Sequence, residues 1–313
     1  MSLIEVKNAY KCYGKIKKHS VYALTDVNLT IEKGEIVGLV GESGCGKSTL
    51  GKIFLKLEKL TSGKVFFNGQ DITNFSFNQM LSIRKNMQMI FQNSSNVFNP
   101  YFTVRQVLSE PLNNYFKLSY EEKEKRMTLL LKRVGLNNSY LERYGNELSG
   151  GQRQRIGIAR ALILNPEFVV CDEPVSSVDY AIRNQLLTLL LDLKHDFGLT
   201  YLFISHDLSA VNKICTKVVI MYLGNIMEII PRMDENVEHP YSKALLAAAL
   251  SADPHNRSEK KILFKETDEI FVPKKGCAFQ NRCLYAKEIC KNKKPILTQI
   301  KDGHYVSCHL CKI

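Results

Sequence analysis

Three groups of residues in this 313-residue chain combine types and spacings that could do chemistry. Gly41-Glu42-Ser43-Gly44-Cys45-Gly46-Lys47-Ser48-Thr49 fits the phosphate-binding pattern G-x-x-x-x-G-K-[ST]. Glycines there let backbone N–H groups curl around an anion, and a following helix adds the positive end of its dipole. Lys47 is then placed to reach β- and γ-phosphates, and Ser48 to put its hydroxyl on Mg²⁺. Second, the apolar run Phe168-Val169-Val170-Cys171 ends in Asp172-Glu173. Two carboxylates at the end of a buried strand are costly unless a cation or a water uses them. Asp172 has the form of a Mg²⁺ ligand and Glu173 that of a general base. Third, Leu148-Ser149-Gly150-Gly151-Gln152 leads into Arg153-Gln154-Arg155 and reads as the start of a helix. Ser149 caps it, and Gly150 and Gly151 leave bare N–H groups at its positive end, a second anion site.

Three more residues are ambiguous taken singly. Tyr13 closes a strand just before Gly14, where an aromatic ring stacks on a purine or simply packs. Gln92 ends a strand before Asn93-Ser94-Ser95-Asn96, well placed to touch a metal or water, or merely marking the loop boundary. His206 stands at the end of a core strand.

The elements that must hold these groups follow from hydrophobic period and turn residues. Residues 3–13 read as an edge strand, 15–20 as an exposed turn, and 21–31 as a second strand. Lys33-Gly34 turns the chain into the strand at 35–40 that feeds the phosphate loop, and 50–57 forms a helix with an apolar stripe. Residues 62–69 and 86–92 are strands, 104–160 is helical, and 186–193 is a leucine-rich helix. Residues 200–207 form a core strand, and Leu223-Gly224-Asn225 after 218–222 signals a hairpin. The alternation argues for an α/β core.

Composition narrows the class. Apolar residues make up 45 %, ample for a core, and no apolar run approaches the roughly 20 residues of a membrane span. Met1-Ser2-Leu3-Ile4-Glu5 lacks the blocks of a signal peptide, so a cytosolic protein with reduced thiols is expected. The net charge of +12 is uneven: residues 271–313 hold nine Lys/Arg against two acids, and five of nine cysteines. Such a tail suits nucleic acid, anionic lipid or a plain solvated surface. In a reducing cytosol its clustered thiols suggest metal more than disulfide, and four thiolates suit zinc or a [4Fe–4S] cluster.

In type and order these motifs resemble those of ATP-binding cassette (ABC) ATPases over nearly the whole chain. Tyr13 matches the A-loop, 41–49 Walker A, Gln92 the Q-loop, 148–152 the family signature and 168–173 Walker B. Ser176-Ser177-Val178-Asp179 matches the D-loop and His206 the switch histidine. The resemblance implies a P-loop NTPase of the ABC type over 1–230, with a RecA-like core, an antiparallel β subdomain and a helical subdomain at about 93–160. Residues 231–313 would form a small cysteine-rich extension.

It also implies roles. Tyr13 stacks on adenine, while Gly41, Ser43, Gly44, Cys45, Gly46, Lys47, Ser48 and Thr49 hold the phosphates. Ser48, Gln92 and Asp172 position Mg²⁺, Glu173 polarises the attacking water, and His206 contacts the γ-phosphate. Ser149, Gly150, Gly151 and Gln152 bind the γ-phosphate of ATP held by a second subunit met head to tail, and Asp179 crosses that interface. Such enclosure suits a transition state that needs charge neutralised on all sides and water excluded.

The flanks narrow the resemblance to the oligopeptide/dipeptide importer group, which includes nickel importers, and within it to the F-type ATPase subunit. They are Val40-Gly41-Glu42-Ser43-Gly44-Cys45-Gly46, Met89-Ile90-Phe91-Gln92, Asn99-Pro100, Cys171-Asp172-Glu173-Pro174-Val175-Ser176 and His239-Pro240-Tyr241. Gly276-Cys277-Ala278-Phe279, Arg282-Cys283, Cys290 and Val306-Ser307-Cys308 follow the group's C-terminal cysteine region, and imply iron–sulfur at Cys277, Cys283, Cys290 and Cys308. Zinc and metal-free thiols remain the alternatives. Val178 and Tyr180 depart from the group's pattern, as does the absence of a proline-rich linker near 264–273.

The expected function is therefore ATP hydrolysis powering import of oligopeptides or dipeptides from the cytoplasmic face of the membrane. The implied partners are a second, distinct ATPase subunit, two transmembrane permeases and an extracellular solute-binding protein. Import of a nickel chelate or another small solute uses the same chemistry. A soluble cassette ATPase acting on ribosomes or DNA usually carries two cassettes or a long coiled-coil insertion; neither is seen here, so no nucleic-acid partner is expected. A regulatory module without turnover conflicts with the intact Glu173 and His206.

Overall fold

The computed structural model describes residues 1–14, 21–92, 99, 101–176, 178–232, 237–250, 273 and 275–311. The expected turn at 15–20, the loop at 93–96, Ser177 and nearly all of the linker at 264–273 lie outside the described residues. In chain order the strands are β1 (Ser2–Tyr13), β2 (Val21–Glu32), β3 (Ile36–Val40), β4 (Ser62–Phe67), β5 (Gln70–Asp71) and β6 (Met87–Ile90). They continue with β7 (Phe168–Asp172), β8 (Thr200–Ile204), β9 (Lys217–Tyr222), β10 (Asn225–Ile230), β11 (Thr298–Lys301) and β12 (His304–Val306). The helices are α1 (Lys47–Phe54), α2 (Phe77–Arg84), α3 (Val104–Tyr115), α4 (Tyr120–Arg133) and α5 (Gly150–Leu162). After them come α6 (Tyr180–Phe197), α7 (Leu208–Ile214), α8 (Pro240–Leu250) and α9 (Glu288–Asn292).

The chain divides into two compact units. One comprises 2–31, 36–73 and 205–313. It contains an antiparallel sheet in the order β2-β1-β4-β5 and a second run of strands, β11-β12-β10-β9-β3. In that run β3 and β9 are parallel, with Val37 opposite Lys217 and Val40 opposite Ile220, while β10 and β12 pair antiparallel. Every residue of β3 is buried, as a parallel strand covered on both faces requires. The expected hairpin is present: Leu223 and Gly224 both take positive φ, 43° and 75°, the geometry of a tight two-residue turn between β9 and β10.

The other unit comprises Met1, 32–35 and 74–204. Its strands β6, β7 and β8 are parallel neighbours, with Ile90 opposite Cys171 and Asp172 opposite Ile204. All residues of β7 and β8 are buried. The helices α2, α3, α4 and α5 each begin with a capping box, formed by Ser76 with Gln79, Thr103 with Gln106, Ser119 with Glu122 and Ser149 with Gln152. Each box satisfies two N–H groups that a helix start would otherwise leave bare.

Three sequence expectations change. β1 is an inner strand, not an edge: it lies between β2 and β4, with Ile4 opposite Phe67 and Val6 opposite Val65. Alternation reveals a half-buried strand but not which later segment returns to pair with it. The helix expected at 50–57 begins at Lys47, because Gly46 at φ 106° turns the chain straight from the loop into its first turn. It ends at Phe54, and Lys56 then takes a positive φ of 53°. The apolar stretch at 244–250, far too short for a membrane span, is the greater part of α8, a helix the periodicity did not single out.

Candidate functional site

Tyr13, the phosphate loop and His206 belong to the first unit; Gln92, Ser149–Gln152, Asp172, Glu173 and Asp179 belong to the second. Each group has its own geometry.

In the first unit the phosphate loop leaves β3 through Gly41 at φ 149° and enters α1 through Gly46 at φ 106°. A Cβ at Gly41 would lie 2.1 Å from the Met221 carbonyl oxygen, and one at Gly46 2.3 Å from that of Ala23, so backbone occupies the room a side chain needs. Gly44 also has a positive φ, 77°, but a Cβ there would meet nothing within 4 Å. The loop is thus pressed against β9 and the start of β2 on one side and open at its crest, where Ser43 and Gly44 are exposed. The Gly224 N–H donates to the Cys45 carbonyl at 2.9 Å, tying the loop to the β9–β10 hairpin. The buried Lys47 Nζ donates to the carbonyls of Gly41 (2.7 Å) and Glu42 (2.9 Å), bonds that a phosphate oxygen can replace. Burial raises the Cys45 thiol above its ordinary range despite the Lys47 ammonium beside it, so no thiolate competes there for that cation. Ser48 and Thr49 lie in the first turn of α1, half-buried. This cradle fits an anion.

Tyr13 ends β1 and is 39 % exposed, with the Lys11 ammonium 4.6 Å from its ring centroid. His206 is exposed, two residues beyond β8 and just before Asp207, which caps α7 by accepting from the Ser209 and Ala210 N–H groups.

In the second unit β7 delivers the two carboxylates. Asp172 is its last residue and is buried, while Glu173 follows at a positive φ of 48°, with its N–H donating to the Ile204 carbonyl at 2.9 Å. A non-glycine residue in the left-handed region is uncommon, and here it turns the glutamate out of strand alternation. Gln92, two residues past β6, donates from Nε2 to Glu173 Oε2 at 2.7 Å. The structure therefore joins two residues that the sequence offered from separate motifs.

At the start of α5 Ser149 Oγ accepts from the Gln152 N–H (3.3 Å), and Gln152 Oε1 from the Ser149 N–H (2.9 Å). Ser149 and Gly150 are exposed, so this helix end faces solvent in the lone chain. Asp179 is exposed at the N-cap of α6 and makes no side-chain capping bond. One contact escaped the sequence reading: the buried Gln154 donates from Nε2 to the Pro174 carbonyl at 2.8 Å, linking α5 to the turn after Glu173. Only the Gln-Arg-Gln-Arg run hinted at it.

The cysteine region lies in the first unit. Cys277, Cys283 and Cys290 are buried, and Cys308 and Cys311 partly exposed. The Cys277 N–H donates to the Cys290 carbonyl at 2.7 Å, and that of Cys283 to Phe279 at 3.0 Å. Burial pushes the Cys277 thiol up to about 12, and the neighbouring thiols of Cys308, Cys290 and Cys283 push the same way. The four cysteines thus share one neighbourhood. Even so, among the described residues no three His, Cys, Asp or Glu side chains are gathered to hold a metal ion.

Comparison with known proteins bears on the family and the fold. Residues 24–176 match the ABC transporter family, and 227–290 match the oligopeptide/dipeptide transporter C-terminal region. The oligopeptide transport ATP-binding protein AppF of Bacillus subtilis is 44 % identical over 94 % of this chain and 91 % of its own. The dipeptide transport ATP-binding protein DppF of Haemophilus influenzae is 41 % identical over 93 % and 90 %. Among solved structures, the ATP-binding cassette MJ0796, a dimer bound to ADP and Pi in a post-hydrolysis state, superposes with a TM-score of 0.67 at 30 % identity. It covers 73 % of this chain and 98 % of its own.

Proposed function

This chain belongs to the ABC transporter ATP-binding family, in its oligopeptide/dipeptide branch, and we propose that it hydrolyses Mg-ATP to drive uptake of short peptides. The observation that carries this reading is the joint presence of both family regions, 24–176 and 227–290, in a chain similar to peptide-transport ATP-binding proteins almost end to end.

The ATPase domain is 1–230, with its helical subdomain at about 93–160, and 231–313 is the extension. The phosphate loop and Lys47 hold the β- and γ-phosphates; Ser48, Asp172 and Gln92 hold Mg²⁺, directly or through water. Glu173 takes the proton of the attacking water, and the Gln92 amide already bonded to its carboxylate keeps that oxygen aimed. Tyr13 receives the adenine and His206 the γ-phosphate. Ser149, Gly150, Gly151 and Gln152 complete the site on a second ATPase subunit, a distinct chain, with Asp179 at the joint. The assembly works on the cytoplasmic face with two permeases and an extracellular solute-binding protein. Among the described residues no helix is long and apolar enough to cross a membrane.

Cys277, Cys283, Cys290 and Cys308 are soft donors suited to iron or zinc, and we assign them a [4Fe–4S] cluster ahead of zinc. A bound metal would supply the positive charge that four thiolates need.

The test is Glu173→Gln. It should keep Mg-ATP binding within about threefold and cut hydrolysis by at least about 10², as loss of a general base does. Hydrolysis at the wild-type rate would remove Glu173 from the mechanism; a wild-type chain that fails to bind Mg-ATP would end the ATPase reading. Anaerobic iron, sulfide and zinc analysis, with Cys283→Ser beside the wild type, decides the metal.

A further inference from the structure

Arg282 belongs to the cysteine region, yet its guanidinium lies on the phosphate loop, 240 residues earlier in the chain. Its Nη1 donates to both carboxylate oxygens of Glu42 at 2.9 Å. The arginine side chain is 12 % exposed and the glutamate 37 %. The guanidinium also lies over the rings of Tyr222 (5.6 Å) and Phe279 (5.9 Å), and Nη1 reaches the Tyr222 hydroxyl at 3.4 Å. A second strut meets the same loop residue: the Glu42 N–H donates to the Tyr241 hydroxyl of α8 at 3.0 Å. Tyr241 packs on Tyr222 and Phe279, with ring centroids at 4.7 and 5.4 Å. Elements beyond 230 therefore grip Glu42 by backbone and side chain together.

The need for the side-chain grip follows from what lies next to it. The Glu42 carbonyl is one of the acceptors of the Lys47 ammonium. The Glu42 carboxylate is attached to that same residue, so once released it is an anion with a short path to the cation meant for phosphate. A carboxylate competes with a phosphate oxygen for an ammonium because both are charge-assisted acceptors.

We propose that Arg282 is a positioning residue for the nucleotide site: by holding the Glu42 carboxylate, it keeps Lys47 open to ATP and makes ATP affinity depend on the cysteine region. The inference rests on the ATPase reading of the phosphate loop and goes beyond it. It assigns a task to an arginine outside the cassette motifs.

The experiment measures the Kd for Mg-ATP by calorimetry on the full chain, with melting temperature recorded for each variant. Arg282→Ala should raise Kd about tenfold and Arg282→Lys two- to threefold, since lysine keeps the charge but loses the planar stack. Glu42→Gln placed in the Arg282→Ala background should bring Kd back to within about threefold of wild type, because the competing anion is gone. A purely structural strut gives no such rescue. An Arg282→Ala protein with wild-type Kd, or a loss that Glu42→Gln does not restore, overturns the proposal. Should Arg282→Ala fail to fold, Glu42→Gln is compared with Glu42→Gln/Arg282→Gln. Equal Kd values support the proposal, because the arginine then has no carboxylate to hold, and a difference above about threefold overturns it. A wild-type chain that does not bind Mg-ATP fails the ATPase reading itself, an outcome separate from these.

Discussion

At Gly46 a methyl group would meet the Ala23 carbonyl at 2.3 Å in a backbone turned to φ 106°, whereas at Gly44 it would meet nothing. Gly44→Ala should therefore cost only the left-handed strain, about 1–2 kcal/mol. Gly46→Ala adds a clash with backbone that cannot swing aside, so Mg-ATP binding should be lost as well; melting temperatures and binding isotherms of the two variants separate the cases. The spacing of the motif made both glycines legible, but not their difference, because Ala23 comes from another part of the chain. His239 behaves likewise: the sequence offers His239-Pro240-Tyr241 as a family trait, whereas the structure buries the ring and lets its Nδ1 accept the Tyr241 N–H at 3.0 Å. Burial pushes its pKa down to about 3, from the ordinary 6.5. The folded chain then keeps His239 neutral while the unfolded chain takes up a proton below 6.5. Stability should fall as pH drops from 6.5 toward 3, by up to about 1.4 kcal/mol per pH unit from this group. His239→Gln, which keeps an acceptor and cannot charge, should flatten the fall in denaturation midpoint between pH 7 and 5.

Among elements, the seam between β10 and β12 depends on one buried carboxylate. Glu228 Oε1 accepts from the Glu238 N–H at 2.7 Å, Oε2 from the His239 N–H at 3.1 Å, and the His304 Nε2 lies 2.7 Å from Oε1. Removing it strands two amides and a ring nitrogen in the interior, so Glu228→Ala should cost about 3–5 kcal/mol and His304→Ala about 1–3, read from urea midpoints. Neither residue stood out in the sequence. Hydrophobic period revealed β3, β7 and β8 because they are buried throughout, but β11 and β12 are only four and three residues long and form by pairing, β12 on the edge of β10 and β11 on β12. The inner place of β1 was hidden for the same reason: pairing is decided by segments far away in sequence. Helix starts fared better, since Ser149 and Gln152 carry their own capping chemistry.

For the molecule as a whole, the telling feature is a helix end with no ligand of its own chain assigned to it. Ser149 and Gly150 are exposed at the start of α5, at the positive end of its dipole, where the capping box takes up the Ser149 and Gln152 N–H groups. The order of motifs in the sequence was enough to identify a cassette, because every motif is local. What the signature binds was not, since the partner proposed for it lies on another chain. If that partner is the nucleotide of a second ATPase subunit, an acid placed here should repel the γ-phosphate without touching this chain's own phosphate loop. Gly150→Asp should therefore leave the Kd for Mg-ATP of the isolated chain within about twofold, while the ATPase rate of the reconstituted importer falls at least about 10²-fold, the usual size of a lost transition-state contact. The same substitution should abolish the ATP-dependent association that Glu173→Gln would otherwise trap, seen by light scattering of the two ATPase chains mixed with Mg-ATP. An equal loss of affinity in the isolated chain would instead place the signature at this chain's own nucleotide, and a rate unchanged in the importer would leave the helix end without a catalytic part.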